Sequence, residues 1–316
     1  MKLNKQMIYV SGLPRSGSTL LCQLLGMHPG IYSLGHSSPL AGTIENLRHH
    51  MSDSPFLLGQ LDVDFDLTYN RLLNSYRGFI NGWNEETDKD YIVDKNRSWL
   101  PMQQTVKLLD PNYKMLVCVR DPIQLFGSIE SQHQKTILID FPDHMNPNTA
   151  WYRADQLFAP SGVAGGPIRA LENMQDIARE FSTENQVYFV MFEQFVTFPV
   201  QEMSKIFSWL GLKDYQIDPD NLPVKPHETD SYYRFKFRHN THSKINKLKG
   251  HHVPARIAQE IFRKFRWLYD YFYPKAYPDY RALKDLEKSQ FAEEHTSNIP
   301  TFKESSDGQT QDESKR

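Results

Sequence analysis

One segment limits the fold more than any other. The short, partly β-branched run Gln6 to Val10 leads through Gly12-Leu13-Pro14-Arg15-Ser16-Gly17-Ser18-Thr19 into the apolar stretch Leu20 to Leu25. A buried strand, a Gly/Pro/Ser turn and a helix from Thr19, stopped by Gly26 and Pro29, make the opening of a β–α unit. In such a turn the backbone N–H groups of the loop and of the first helical turn converge on an anion, aided by the helix dipole. Gly12 and Gly17 allow close backbone approach, while Ser16, Ser18 and Thr19 add hydroxyls. The alternative is a tight turn with no ligand.

Further strands are expected at Ile31 to Leu34, Tyr91 to Asp94, Met115 to Val119 and Val187 to Phe192. Between them lie helical stretches, including about 40–84, Ala170 to Phe181 and Val200 to Leu210. Alternation of strand and helix predicts an α/β fold, with a central parallel sheet of about five strands and helices on both faces. One more helix opens at Pro254, with Ile257, Ile261, Phe265, Leu268 and Phe272 along one side. From 285 the chain is polar and rich in Ser, Glu, Gln and Lys, which predicts a domain over 1–284 and a disordered tail over 285–316.

The Gly12–Thr19 spacing matches the phosphate-binding pattern G-x-x-x-x-G-K-[ST], except that Ser18 stands where the lysine belongs. P-loop NTPases neutralise a triphosphate with that lysine and Mg²⁺. A loop with its cation at Arg15 suits a smaller anionic group. A second anchor lies at the end of the Met115 strand, where the first polar residue is Arg120, followed by Asp121-Pro122 and a helix containing Ser128. Arg120 and Ser128 are placed to share one phosphate. Arg120 paired with Asp121, or Asp121 as a Mg²⁺ ligand, are the competing readings. Two separate anion sites fit a nucleotide with phosphates at both ends.

Composition narrows the class. The formal net charge of -2 gives no global field for nucleic acid or an anionic membrane. The anion site must therefore be local; residues 225–249 form a basic segment, read either as a solvated face or as closing over the 3′ side of such a nucleotide. Cys22 and Cys118 each sit in an apolar run and read as buried thiols. Neither an apolar leader nor a run long enough to span a bilayer is visible, so the expected location is cytoplasmic.

Together these residues resemble the PAPS-dependent sulfotransferases, most of all the tyrosylprotein and related bacterial branch. Gly12–Thr19 is similar to the family's 5′-phosphosulfate loop, and Arg120 with Ser128 to its 3′-phosphate site. The likeness continues through Asp94-Lys95-Asn96, Phe192-Glu193-Gln194-Phe195 and Ser243-Lys244-Ile245. The resemblance implies a P-loop-like fold. It also implies metal-free, in-line transfer of a sulfuryl group from PAPS (3′-phosphoadenosine 5′-phosphosulfate) to a hydroxyl acceptor, with PAP as product. In that scheme Arg15 meets the leaving phosphate, Lys95 lies near the sulfuryl group, and Ser243 and Lys244 help hold the nucleotide.

The branch carries its base in a Gly-Glu-Glu segment. Here the segment is Gly35-His36-Ser37-Ser38, which makes His36 the candidate base, with a hydrogen-bonded loop residue as the other reading. Phe192 stands where the family often has tyrosine. A small molecule, a carbohydrate or a peptide would each serve as acceptor. Two rival functions remain open: an ATP-Mg²⁺ kinase or NTPase, and a non-catalytic nucleotide-binding protein. His49-His50 and His251-His252 are expected to be solvated, and His239 and His242 to face phosphate or solvent.

Overall fold

The computed structural model describes residues 1–136, 149–181, 185–224, 228–229, 238–239 and 241–273. Five parallel strands form its centre: β1 (Gln6–Gly12), β2 (Ile31–Ser37), β3 (Tyr91–Lys95), β4 (Lys114–Val119) and β5 (Val187–Met191), in the order β2-β3-β1-β4-β5. The pairings β1–β3, β1–β4, β2–β3 and β4–β5 are all parallel.

The central strands read as unbroken apolar runs because both their faces are covered. Met7 and Tyr9 of β1 join Met115, Val117 and Val119 of β4 in one core, while Ile8 and Val10 join Leu116 and Cys118 in the other. This is the period-2 alternation of a strand sorting its side chains into two layers. Cys22 and Cys118 are both buried free thiols, and burial pushes the Cys118 thiol well up.

Helix α1 (Ser18–Leu25) covers the second face, from which Leu21, Cys22, Leu24 and Leu25 are fully excluded from solvent. The stretch at 40–84 forms three helices: α2 (Leu40–Ser52), α3 (Pro55–Val63) and α4 (Phe65–Trp83). α3 buries none of its residues, and Phe56 is 83% exposed. Then come α5 (Gln103–Leu109), α6 (Pro122–His133), α7 (Ala150–Leu157), α8 (Gly165–Phe181), α9 (Phe192–Thr197) and α10 (Pro199–Leu210). α9 and α10 lie on the α1 face through Phe195, Met203, Ile206 and Phe207, whereas α2, α5, α6, α7 and α8 lie on the other.

Two expectations are corrected. The helix after Pro254 is broken into α11 (Ala255–Lys264) and α12 (Arg266–Phe272), because Phe265 leaves the helical region at φ -115°, ψ 32°. The break turns the Phe265 ring onto Phe158, with centroids 5.1 Å apart, and lets Lys264 donate to the Phe158 carbonyl at 2.9 Å. Ile257, Ile261, Phe265 and Leu268 are buried as expected; Phe272 is only partly so, packing on Phe189 at 5.1 Å. Strand β2 also runs on past Leu34 to Ser37. Its register jumps from Ser33↔Val93 to Ser37↔Lys95, so Leu34, Gly35 and His36 bulge against Asp94 alone. Gly35 takes φ 76° in that bulge.

The chain after β1 runs toward β2, and the chain after β4 runs toward β5, so connections diverge between these two neighbouring strands. Open α/β sheets place their ligand crevice at such a divergence, beyond the strand C-termini. No described helix is long and apolar enough to cross a membrane. The expected tail at 285–316, and the end of the expected domain beyond 273, lie outside the described residues.

Candidate nucleotide cleft

The turn after β1 is held tightly against β4. Gly12 adopts φ +126°, and a Cβ there would stand 2.1 Å from the Cys118 carbonyl oxygen. The Leu13 N–H donates to the same oxygen at 2.9 Å. Ser16 Oγ donates to the Leu13 carbonyl at 2.5 Å and is almost fully buried, so it braces the loop from inside. Gly17 caps α1 in the left-handed conformation, with Ser18 and Thr19 opening the helix and presenting its first backbone N–H groups. A Cβ on Gly17 would lie 2.7 Å from the Phe192 ring, which explains why glycine is required there twice over.

Arg15 has φ 59°, in the left-handed region uncommon for side chains with a Cβ, and such strain collects at functional sites. This conformation sends its side chain toward α6, where Arg15 Nε donates to Ser128 Oγ at 3.4 Å. Arg120, at the end of β4, donates from Nη1 to the Arg15 carbonyl at 2.7 Å. Its guanidinium lies over the Phe192 ring at 4.5 Å and is 5% exposed. Arg120 Nε is buried with no hydrogen-bond partner among the described residues. Burial, and then the neighbouring Arg15 charge, lower the Arg120 pKa, against the opposing pull of Glu193 and Asp121. A buried guanidinium with a spare donor is a standing cost that a bound anion offsets.

Asp121 is hydrogen-bonded to neutral donors. Its Oδ1 accepts the Ile123 N–H at 2.8 Å as the N-cap of α6, and also the Tyr269 hydroxyl at 2.5 Å. Glu193 accepts the Asp121 N–H at 3.2 Å and the Tyr273 hydroxyl at 2.8 Å. Burial raises the pKa of both carboxyls.

Arg15, Thr19, Arg120 and Ser128 line a single cleft of about 580 Å³, together with Lys244. That size is ordinary for a small-molecule site. Ser243 does not line it: its carbonyl accepts the Leu222 N–H at 2.7 Å and the residue is exposed. Lys95 sits behind the cleft, 6% exposed, donating from Nζ to Thr19 Oγ1 and to the Gly35 carbonyl, both at 3.1 Å. His36 is the residue after that carbonyl, half-buried on the β2 bulge. Of the larger aromatics, Trp99 is core, bonded from Nε1 to Asp94 Oδ1 at 2.6 Å, and Trp83, Trp151 and Tyr152 do not line the cleft.

The wall opposite the β1 turn is the end of the basic segment. Residues 241–251 cross the cleft as a strap, with Lys247 and Lys249 on its lining. Gln23 of α1, 2% exposed, anchors one end by donating to the carbonyls of Pro223 at 2.8 Å and His242 at 2.9 Å. Gln124 of α6 anchors the other by accepting the His251 N–H at 2.8 Å. Expected to be solvated, His251 is instead half-buried in the cleft wall; His252, His49 and His50 are exposed. The side chain of His239 lies outside the described residues, and His242 lines the cleft. Gln23, a polar residue amid the five apolar residues of Leu20 to Leu25, and Gly127, a glycine inside α6, were further signals for this wall.

Residues 7–216 match the model of the sulfotransferase family. Protein-tyrosine sulfotransferase A of Caenorhabditis elegans is 24% identical over 208 residues, covering 65% of this chain and 50% of that protein. The chain thus spans about half the length of that curated relative. Among solved structures, the sulfotransferase domain of the Synechococcus PCC 7002 olefin synthase is 19% identical, with 69% of this chain and 76% of that one covered and a TM-score of 0.43. The sulfotransferase domain from the curacin biosynthetic pathway is 16% identical, with 84% and 99% covered and a TM-score of 0.45. The family match runs from β1 past the end of α10 and takes in both the Gly12–Thr19 turn and the Arg120–Ser128 anchor, and on that extent this chain belongs to the sulfotransferase family.

Proposed function

We propose that the protein transfers a sulfuryl group from PAPS to a hydroxyl group of an acceptor. The observation that carries this reading is the convergence of two anion anchors on one cleft, Arg15 with the first turn of α1 on one side and Arg120 with Ser128 on the other. Their separation onto different elements suits a nucleotide bearing phosphate at its 5′ and its 3′ positions. The bound nucleotide supplies an activated sulfuryl group. The remaining work falls to this chain.

The N–H groups of Ser18 and Thr19, with Arg15, stabilise the charge that grows on the leaving 5′-phosphate. Arg120 and Ser128 hold the 3′-phosphate and so fix the register of the donor. Lys95, pinned to Thr19 and to the Gly35 carbonyl, holds the β2 bulge beside the α1 N-terminus and presents a positive charge there. His36 on that bulge takes the acceptor's proton as the acceptor oxygen bonds sulfur and the bond from sulfur to the 5′-phosphate oxygen breaks. Lys244 adds charge at the strap, and Ser243 supports it through its backbone. A tyrosine hydroxyl, as in the name of the nematode relative, belongs to this acceptor class.

Calorimetry with PAP tests the reading. Arg120→Ala is expected to weaken PAP binding by about 10–100-fold, the usual worth of a lost charge-assisted hydrogen bond. Binding of ATP-Mg²⁺ in place of PAP would move the function to phosphoryl transfer.

A further inference from the structure

His251 is built into the cleft wall with more care than a surface histidine needs. Gln124 Oε1 accepts its backbone N–H at 2.8 Å, and Gln124 Nε2 donates to its carbonyl at 3.5 Å. One turn on, Gly127 leaves room for it: a Cβ at Gly127 would stand 2.5 Å from the His251 Cβ and 2.9 Å from Val253 Cγ2. Glycine inside a helix is destabilising, and here it admits the strap to close range. Ser128 follows Gly127 directly, so the same turn of α6 that carries the hydroxyl of the second anion anchor also seats the histidine.

The charges around the imidazole are almost all positive. Arg15 comes from the β1 turn, Arg120 from the end of β4, and Lys244, Lys247 and Lys249 from its own strap, where His242 also lines the cleft. α6 contributes the uncharged Ser128 and Gln132 to the cleft lining, its Glu130 is paired with Arg153, and the acids beside Arg120, Asp121 and Glu193, are engaged by Tyr269 and Tyr273. Partial burial, then Arg120 and Arg15, hold the His251 pKa below the ordinary histidine value. The imidazole therefore stands neutral in the free cleft near pH 7.

We propose that His251 is a ligand of the phosphate held by Arg120 and Ser128, and that it takes up a proton from solvent as that dianion enters. The inference rests on the PAPS reading above. A dianion reverses the local field, so the imidazole becomes a charged donor to a phosphate oxygen, and no bond other than its new N–H is made. Capture of the 3′-phosphorylated nucleotide is thereby proton-coupled, and discrimination against a nucleotide lacking that phosphate is built into the strap.

Titration calorimetry of the full chain with PAP, at pH 7.5 in two buffers of unlike ionisation enthalpy, measures the proton. Phosphate has its second pKa near 6, so PAP is itself already dianionic there. The wild type is expected to take up a measurable fraction of a proton. His251→Asn loses the uptake and binds PAP about 10-fold more weakly, the loss of one charge-assisted contact. 5′-AMP binds both proteins alike and without the uptake, and His242→Asn keeps it. Gly127→Ala displaces the strap while keeping the imidazole and weakens PAP in the same sense; thermal melts of both variants separate this from unfolding. Unchanged PAP affinity and uptake in His251→Asn overturn the proposal, as does uptake that disappears in His242→Asn instead. A wild type that binds PAP without taking up a proton sinks the role of His251 alone. One that binds neither nucleotide sinks the PAPS reading with it.

Discussion

At the scale of single residues, the candidate base is a histidine on a bulge. His36 belongs to three β2 residues facing one residue of β3, and Lys95 holds the carbonyl just before it. The bulge re-aims the side chain, as bulges beside active sites commonly do. His36→Ala is expected to lower kcat by about 10²-fold or more, the usual contribution of a general base, with PAP affinity unchanged. Single-turnover rates beside PAP titrations check this; a rate equal to wild type assigns the base elsewhere. The candidate residue was legible from the Gly35-His36-Ser37-Ser38 segment. Its placement on a bulge was not, because register depends on how β2 pairs with β3 and not on its own sequence.

Among the elements, α6 organises the most. Its N-cap Asp121 joins it to α12 through the Tyr269 hydroxyl, its middle seats the strap at Gln124 and Gly127, and Ser128 faces Arg15. Tyr269→Phe removes one of the donors satisfying a buried carboxyl and is expected to cost about 1–2 kcal/mol in urea unfolding. A cost near zero would show that the cap alone satisfies Asp121. The strands and helices of the sheet were readable because each has a distinct period and a clear stop. The split between α11 and α12 was not, since the apolar spacing runs unbroken through Phe265 and only Phe158, far away in sequence, turns that ring out of the helix. The basic segment was legible as a cover for the anion site, but its path was not, because Gln23 and Gln124, far away in sequence, are what pin residues 241–251 across the cleft.

At the scale of the whole molecule, the buried Asp110 contributes to how stability responds to pH. Asp110, at the end of α5, has its Oδ2 buried without a partner among the described residues, and burial raises its pKa to about 6. The folded state thus keeps a proton that the unfolded chain releases near pH 4, so stability from this group is full below about pH 4 and lost as pH rises through about 6. The contribution is on the order of 2–3 kcal/mol at about 1.4 kcal/mol per pKa unit. Asp110→Asn is expected to remove that slope, narrowing its stability difference from wild type as pH falls from 7 to 4. Chemical denaturation across that range reads it, and parallel curves for the two proteins would contradict it.

What the sequence determined by itself is local. The order of strands and helices, the Gly12–Thr19 turn and the placing of Arg120 and Ser128 after β4 follow from apolar periodicity, glycine conformational freedom and the spacing of charges, all properties of a few neighbouring residues. Tertiary structure decided what depends on distant partners. It chose the strand order that opens a crevice between β1 and β4, the pairing register that puts His36 on a bulge of β2, the turn of Arg15 toward Ser128, and the closure of the strap that brings His251 to Gly127. Each of these rests on contacts across tens or hundreds of residues, where packing and hydrogen bonding act without leaving a mark in any single stretch of sequence.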